Sequence, residues 1–266
     1  MSNLNTKTDA FESQIVDRVA VVQLKDNVLE HLTKHLQTAD AYRDLLKSVN
    51  ESADLWGFVQ INDRGWDCHS DTDAFVKLLT KDAERMPSSR WSSYQHEVLA
   101  ARFRNSVGRI LLEMIQFRKP AVAGMQGEIS GDYLGSTLAF DFRIATADTT
   151  FSFENIRVGL PASVGVTFLM PRYIGVGRAM SLVQKGATID AHEAVSLGLL
   201  SEVIDSDDDL TARCRQEILD IHKNSHRHLI AHHRQHILPS VSEVEAALER
   251  YYRAMVMSLN ELRKSR

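Results

Sequence analysis

Cysteine is scarce in this chain. With only Cys68 and Cys214 among 266 residues, one bridge at most could form, which excludes a disulfide-stapled scaffold and fits a reducing compartment. Long apolar runs are missing too: no stretch approaches the roughly 18 residues of a membrane span. The polar N-terminus, MSNLNTKTDAFESQ, has no apolar segment of the signal-peptide kind, so a cytoplasmic location is expected. Nor does one sign of charge dominate, since 31 basic side chains stand against 35 acidic ones for a formal net charge of −4. That balance gives no electrostatic reason to bind nucleic acid or an anionic membrane. Internal repeats and low-complexity tracts are absent. What is there is ordinary globular usage, 44% hydrophobic and 25% charged, with length for one large domain or two small ones.

Apolar periodicity then divides the chain. Residues 15–24 (IVDRVAVVQL), 56–61 (WGFVQI), 121–125 and 142–147 read as strands, the last three as short buried runs. Residues 29–50, most of 72–117, 131–140, 164–174, 176–185 and 190–197 carry helical spacing, and Gly198 stands as a C-terminal stop after the last. Strands alternating with helices predict an α/β fold with a mainly parallel sheet. Residues 206–266 hold one proline, no glycine and helical periodicity throughout, which predicts a helical extension packed on the core or on a neighbouring subunit.

The most specific stretch runs from Phe117 to Asp205. Lys119-Pro120 precedes a strand, Gln126-Gly127 and Gly131 follow it, and Asp141 leads into Arg143-Ile144-Ala145. Phe151 with Phe153, Gly159, Pro171-Arg172, Ile174-Gly175 and Ala194…Gly198-Leu199-Leu200 continue the series. In this order and spacing the segment resembles the crotonase (enoyl-CoA hydratase/isomerase) superfamily. The resemblance implies a crotonase-like ββα spiral core over residues 1–205 and a C-terminal α-helical, oligomerisation region over 206–266. It implies a homo-oligomer as well, a trimer or a dimer of trimers. The implied substrate is an acyl thioester of coenzyme A or of an acyl carrier protein, with no other cofactor and no metal.

Residue chemistry agrees. A strand running through Gly127 to Gly131 and into a helix leaves backbone N–H groups at the helix start, a natural anion site. There a thioester enolate could be held, and one preorganised donor of this kind lowers a barrier by about 3–4 kcal/mol. By resemblance the two donors are the N–H groups of Asp132 and Ser70, the latter in the loop Trp66-Asp67-Cys68-His69-Ser70-Asp71. Cys68, His69, Asp71, Gly127, Gly131 and Asn155 are expected to contact substrate.

The chain departs from the family at its acids. The two glutamates that family hydratases use fall on Gly135 and Asn155, neither of which can serve as a general base. The usual glycine trio is Gly131-Asp132-Tyr133, which brings two side chains towards the oxyanion hole. Two-glutamate hydration is therefore not expected, whereas double-bond isomerisation needs a single base, which Glu154, one residue from the second position, could supply; Glu128, Asp132, Asp67, His69 and Asp71 are the other ionisable groups of this region. A second resemblance concerns residues 222–236 (HKNSHRHLIAHHRQH), which hold six of the 11 histidines. His228, His232 and His236 share one helical face, a spacing that could bind a metal but lacks supporting carboxylates or cysteines. Residues 227–238, with residues 156–172, are similar to crotonase-like decarboxylases of polyketide β-branching, which implies His236 as a proton donor. A third possibility is a crotonase-fold protein that binds acyl-CoA or a partner without turnover.

Overall fold

The computed structural model describes residues 4–67, 73, 74, 77 and 93–264. The chain opens with a hairpin, β1 (Phe11–Val16) and β2 (Val19–Leu24). Asp17 and Arg18 occupy the left-handed region at φ 49° and 64°, as a two-residue hairpin turn of type I′ requires. Helices α1 (Val28–Lys34) and α2 (Leu36–Glu51) lead to β3 (Gly57–Asn62). The helical run predicted as one piece over 29–50 is thus broken at His35, whose φ and ψ of −115° and 86° are not helical.

After α3 (Ser93–Phe103), a π-helical turn (Arg104–Gly108) and α4 (Arg109–Ile115), β4 (Ala121–Met125) returns to the sheet. Next come β5 (Glu128–Ser130), α5 (Gly131–Thr137), β6 (Phe142–Thr146), β7 (Thr150–Ser152) and α6 (Asn155–Val158). A second π-helical stretch (Gly165–Leu169) runs into α7 (Met170–Ile174), followed by α8 (Val176–Lys185), β8 (Thr188–Asp190), α9 (Ala191–Ser196) and β9 (Glu202–Ile204). Three helices finish the chain: α10 (Leu210–Asn224), α11 (Arg227–Ile237) and α12 (Val241–Lys264).

The larger sheet has the order β1-β2-β3-β4-β6-β9, parallel except for the β1–β2 hairpin. The smaller one, β5-β7-β8, consists of three-residue strands. The alternation of side chains along a strand sorts the large sheet into two buried faces. Val19, Val21, Val59, Ile61, Val122 and Ile144 meet Leu210, Cys214 and Ile218 of α10. Ala20, Val22, Phe58 and Ala123 face the main core under the remaining helices. The α/β spiral core with C-terminal helices is therefore as expected. The first helix of the region 206–266, α10, packs on the face formed by β2, β3, β4 and β6. Burial among these side chains also pushes the Cys214 thiol far above its ordinary value.

Candidate active site

The site lies at the C-terminal ends of β3 and β4, where parallel α/β sheets usually bind ligands. Two side chains fasten these ends together. The wholly buried Asn62 donates through Nδ2 to the Gln126 carbonyl at 2.8 Å and accepts the Gln126 N–H at 3.0 Å, while Gln126 Nε2 donates to the Asn62 carbonyl at 2.9 Å. The loops that follow both strands thus leave from one fixed point, and Asp67 pairs with Glu128 across them as a parallel bridge. Gly127 turns the chain out of β4 at φ 78°, a left-handed conformation that glycine adopts without a Cβ clash. Ser130 then caps α5, its Oγ accepting the Tyr133 N–H at 3.2 Å. Gly131 opens that helix tight against the Phe153 ring.

Asp132 follows, in the first helical turn, where no carbonyl of the helix is available to its backbone N–H. Its half-buried carboxylate is held at both oxygens: Asn155 Nδ2 donates to Oδ2 at 2.8 Å and the Ser163 N–H donates to Oδ1 at 2.7 Å. Burial raises the Asp132 pKa above the ordinary aspartate value, and the Ser163 and Asn155 hydrogen bonds pull it partly back. The carboxylate forms part of the wall of a cavity of about 150 Å³. The other walls are largely apolar, among them Leu24, Val28, Leu32, Phe103, Leu111, Met114, Val164 and Leu248. Among the described residues Asp132 is the only carboxyl on this cavity, and no lysine, arginine or histidine lines it. Tyr251 of α12 also lines it, with its hydroxyl kept neutral by burial and further by the nearby Asp132 charge.

The two positions of the family glutamates have distinct fates. At Gly135 the second π-helical stretch presses directly on α5. A Cβ on Gly135 would lie 2.7 Å from the Val166 N, and one on Gly165 would lie 2.2 Å from the Gly135 carbonyl carbon. Backbone fills the place where a glutamate would stand. At Asn155 the amide reaches Asp132, so this residue positions a carboxylate instead of supplying one.

The expected site residues therefore separate into groups. Asp132 and Asn155 are joined by a hydrogen bond, Gly131 directly precedes Asp132, Gly127 lies before β5 beside the Arg64 and Trp66 backbone, and of the four only Asp132 lines the cavity. Cys68, His69, Ser70 and Asp71 lie outside the described residues. Glu154 is half-buried beside Arg157 at 3.4 Å and does not line the cavity. Asp67 and Glu128 are exposed. His228, His232 and His236 are exposed along α11 and none lines the cavity, so the chain does not bring His236 to Asp132. No group of three or more metal-ligating side chains occurs among the described residues.

Several functional candidates carry no sequence motif. Ser163 holds Asp132 from 31 residues away. Tyr42, Gln60 and Tyr133 form a buried hydrogen-bonded chain in the cavity wall. The one available signal was Gln60, a polar residue in the apolar run WGFVQI.

Comparisons with known proteins now bear on this geometry. Residues 92–263 match the family model described as enoyl-CoA hydratase/isomerase. The chain is 37% identical over 102 residues to the peroxisomal bifunctional enzyme of Cavia porcellus, covering 38% of this chain and 14% of that protein. It is 32% identical over 122 residues to enoyl-CoA hydratase AFT3-1 of Alternaria alternata, covering 46% of this chain and 41% of that protein. The alignments thus span less than half of either relative. Over the whole fold, the crystal structure of an enoyl-CoA hydratase from Bacillus halodurans superposes with a TM-score of 0.75 at 18% identity, covering 96% of this chain and 98% of that one. No described helix is long and apolar enough to cross a membrane. The family match over residues 92–263, most of the chain, makes this protein a member of the enoyl-CoA hydratase/isomerase family.

Proposed function

We infer that the protein binds an acyl thioester, of the acyl-CoA type, and moves a proton at the carbon next to its carbonyl, with Asp132 as the single acid and base. The natural reaction of such a site is the shift of a double bond in an enoyl thioester. Asp132 takes a proton from C2 of a 3-enoyl group, the dienolate oxygen is held by backbone N–H groups at the start of α5, and the same carboxyl returns the proton to C4. Atoms balance without water or cofactor.

The observation that carries this reading is one carboxylate, fixed at both oxygens, on a cavity with no other described charge. Burial makes the Asp132 carboxylate a stronger base than an ordinary exposed aspartate, which favours its taking a proton from carbon. Hydration by two acids is disfavoured, since Gly135 has backbone in the place of the first and Asn155 replaces the second. Decarboxylation of a β-carboxyacyl thioester is the weaker alternative. It would bring a second carboxylate beside Asp132 into an apolar cavity without a described cation, where like charges and lost hydration both oppose binding.

The test is turnover of trans-3-hexenoyl-CoA, trans-2-hexenoyl-CoA and malonyl-CoA by purified protein, read by mass spectrometry and by absorbance of the conjugated thioester. Conversion of the 3-enoyl substrate without hydration supports the reading. Fast hydration of the 2-enoyl substrate, or loss of CO2 from malonyl-CoA alone, would contradict it.

A further inference from the structure

The cavity contains a second polar feature that proton transfer at Asp132 does not use. Tyr42 of α2, Gln60 of β3 and Tyr133 of α5 lie 2%, 6% and 9% exposed, and all three line the cavity. The Tyr42 hydroxyl donates to Gln60 Oε1, and Gln60 Nε2 donates to the Tyr133 hydroxyl oxygen at 3.1 Å. Trp66 fixes the Tyr133 ring edge-on at a centroid separation of 4.7 Å.

Counting hydrogens on this chain gives a definite result. An amide offers one acceptor oxygen and one donor nitrogen, so between two hydroxyls it can accept from one and must donate to the other. The hydroxyl that receives the N–H keeps its own hydrogen, and in the observed arrangement that hydroxyl is Tyr133. Turning the amide over would only move the spare hydrogen to Tyr42, on the same cavity. Either way one buried O–H has no acceptor among the described residues. Leaving such a group unmatched is unfavourable, and buried hydroxyls nearly always have a partner. A phenylalanine would fill the same space without this requirement.

We propose that the Tyr133–Gln60–Tyr42 chain is a donor site for an oxygen atom on the acyl chain, so that the substrates are short oxygen-bearing acyl thioesters (hydroxyacyl or oxoacyl) and not plain hydrocarbon ones. This rests on the acyl-thioester reading above and names its substrate class. The oxygen is not one on the reacting carbons. Consecutive helix positions point about 100° apart, and Asp132 faces Asn155 and Ser163 while Tyr133 faces Gln60 of the central strand. The oxygen therefore sits further along the chain than the carbons between which the proton moves. Size agrees with a short chain, because about 150 Å³ of apolar cavity is enough for a group of roughly six carbons.

Calorimetry of the full chain with hexanoyl-CoA and with its 5-hydroxy, 6-hydroxy and 5-oxo forms tests the proposal. At least one oxygenated form should bind roughly tenfold more tightly than hexanoyl-CoA, and Tyr133→Phe should erase that ratio. Loss of the ratio in Tyr42→Phe alone would mean that the amide is turned over and the same chain donates from its other end. Should a variant fail to fold, the wild-type ratio still decides. Equal or tighter binding of hexanoyl-CoA than of every oxygenated form would overturn the proposal, since the spare hydrogen then goes to a water. A preference that survives in both tyrosine variants would overturn it too. Absence of binding by any thioester would overturn the acyl-thioester reading itself, a result distinct from binding without preference.

Discussion

Two regions of the molecule attract notice by their ionisable residues, the start of α5 and the histidine-rich α11. They could hardly differ more in how the fold treats them. At α5 a single carboxylate is drawn into an apolar cavity, gripped by a side chain from α6 and a backbone N–H from the next loop. On α11 His228, His232 and His236 stay exposed, and the residue that matters is Arg234, buried to 3%. Its guanidinium donates to Asp141 Oδ1 at 2.5 Å and to the carbonyls of Phe117, Met114 and Ala139. A dense local run of titratable groups stays at the surface, whereas one acid met by elements distant in sequence is drawn into a cavity wall. Convergence and burial, not abundance, shift a proton affinity.

That contrast can be broken by mutation, and the largest effect is expected at α5. Asp132→Asn should lower 3-enoyl-CoA isomerisation by roughly a hundred- to ten-thousandfold, while His228, His232 and His236 changed together to Gln should leave it within about twofold in the same assay. Next in size is Arg234→Met, which removes the buried cation paired with Asp141 and one donor from each of three carbonyls. It should destabilise the fold by about 3–5 kcal/mol in chemical denaturation, whereas each exposed histidine of α11 changed to Gln should stay within about 0.5 kcal/mol. Gly135→Glu should not restore hydration. The new Cβ meets backbone, so the expected outcome is a loss of about 1–3 kcal/mol or more in the same denaturation assay with no gain of hydratase activity.

A smaller effect sharpens the role of Asn155. Without its amide, one of the hydrogen bonds that lower the Asp132 pKa is lost. Asn155→Ala should therefore move the Asp132-linked limb of the pH–rate profile to higher pH and reduce turnover roughly tenfold. The smallest concerns stability against pH. The folded-state pKa of Asp132 is raised, so the native state binds more protons than the unfolded one as pH rises past the unfolded value, and stability falls over that interval. Asp132→Asn lacks this dependence. Melting curves between pH 4 and pH 7 should show the variant gaining on the wild type with rising pH, where a lowered pKa would give the opposite trend.

Much of the fold was legible because most of its main strands are short apolar runs of the right length. Residues 56–61, 121–125 and 142–147 became β3, β4 and β6 within a residue, whereas 15–24 gave β2 and only the last two residues of β1, whose polar start FESQ has no apolar run. The small sheet was not legible, since Glu128–Ser130, Thr150–Ser152 and Thr188–Asp190 are three-residue strands with no period to detect. At the site, Gly127, Gly131, Asp132 and Asn155 were named by resemblance, and of these the structure joins Asp132 to Asn155. What could not be read was who touches Asp132. Ser163 contributes a backbone N–H, which has no sequence signature, and the Tyr42–Gln60–Tyr133 chain joins residues whose nearest pair is 18 positions apart. His236 shows the converse: helical spacing was correct, but facing direction depends on Arg234, whose burial only the tertiary fold decides.

Proton exchange at the acyl carbon tests the central claim most directly. Hexanoyl-CoA incubated with the protein in deuterium oxide should gain deuterium at C2, detected by mass spectrometry, and Asp132→Asn should reduce that gain to the uncatalysed level. Exchange that continues undiminished in Asp132→Asn, or that disappears when only the α11 histidines are changed, would contradict the account.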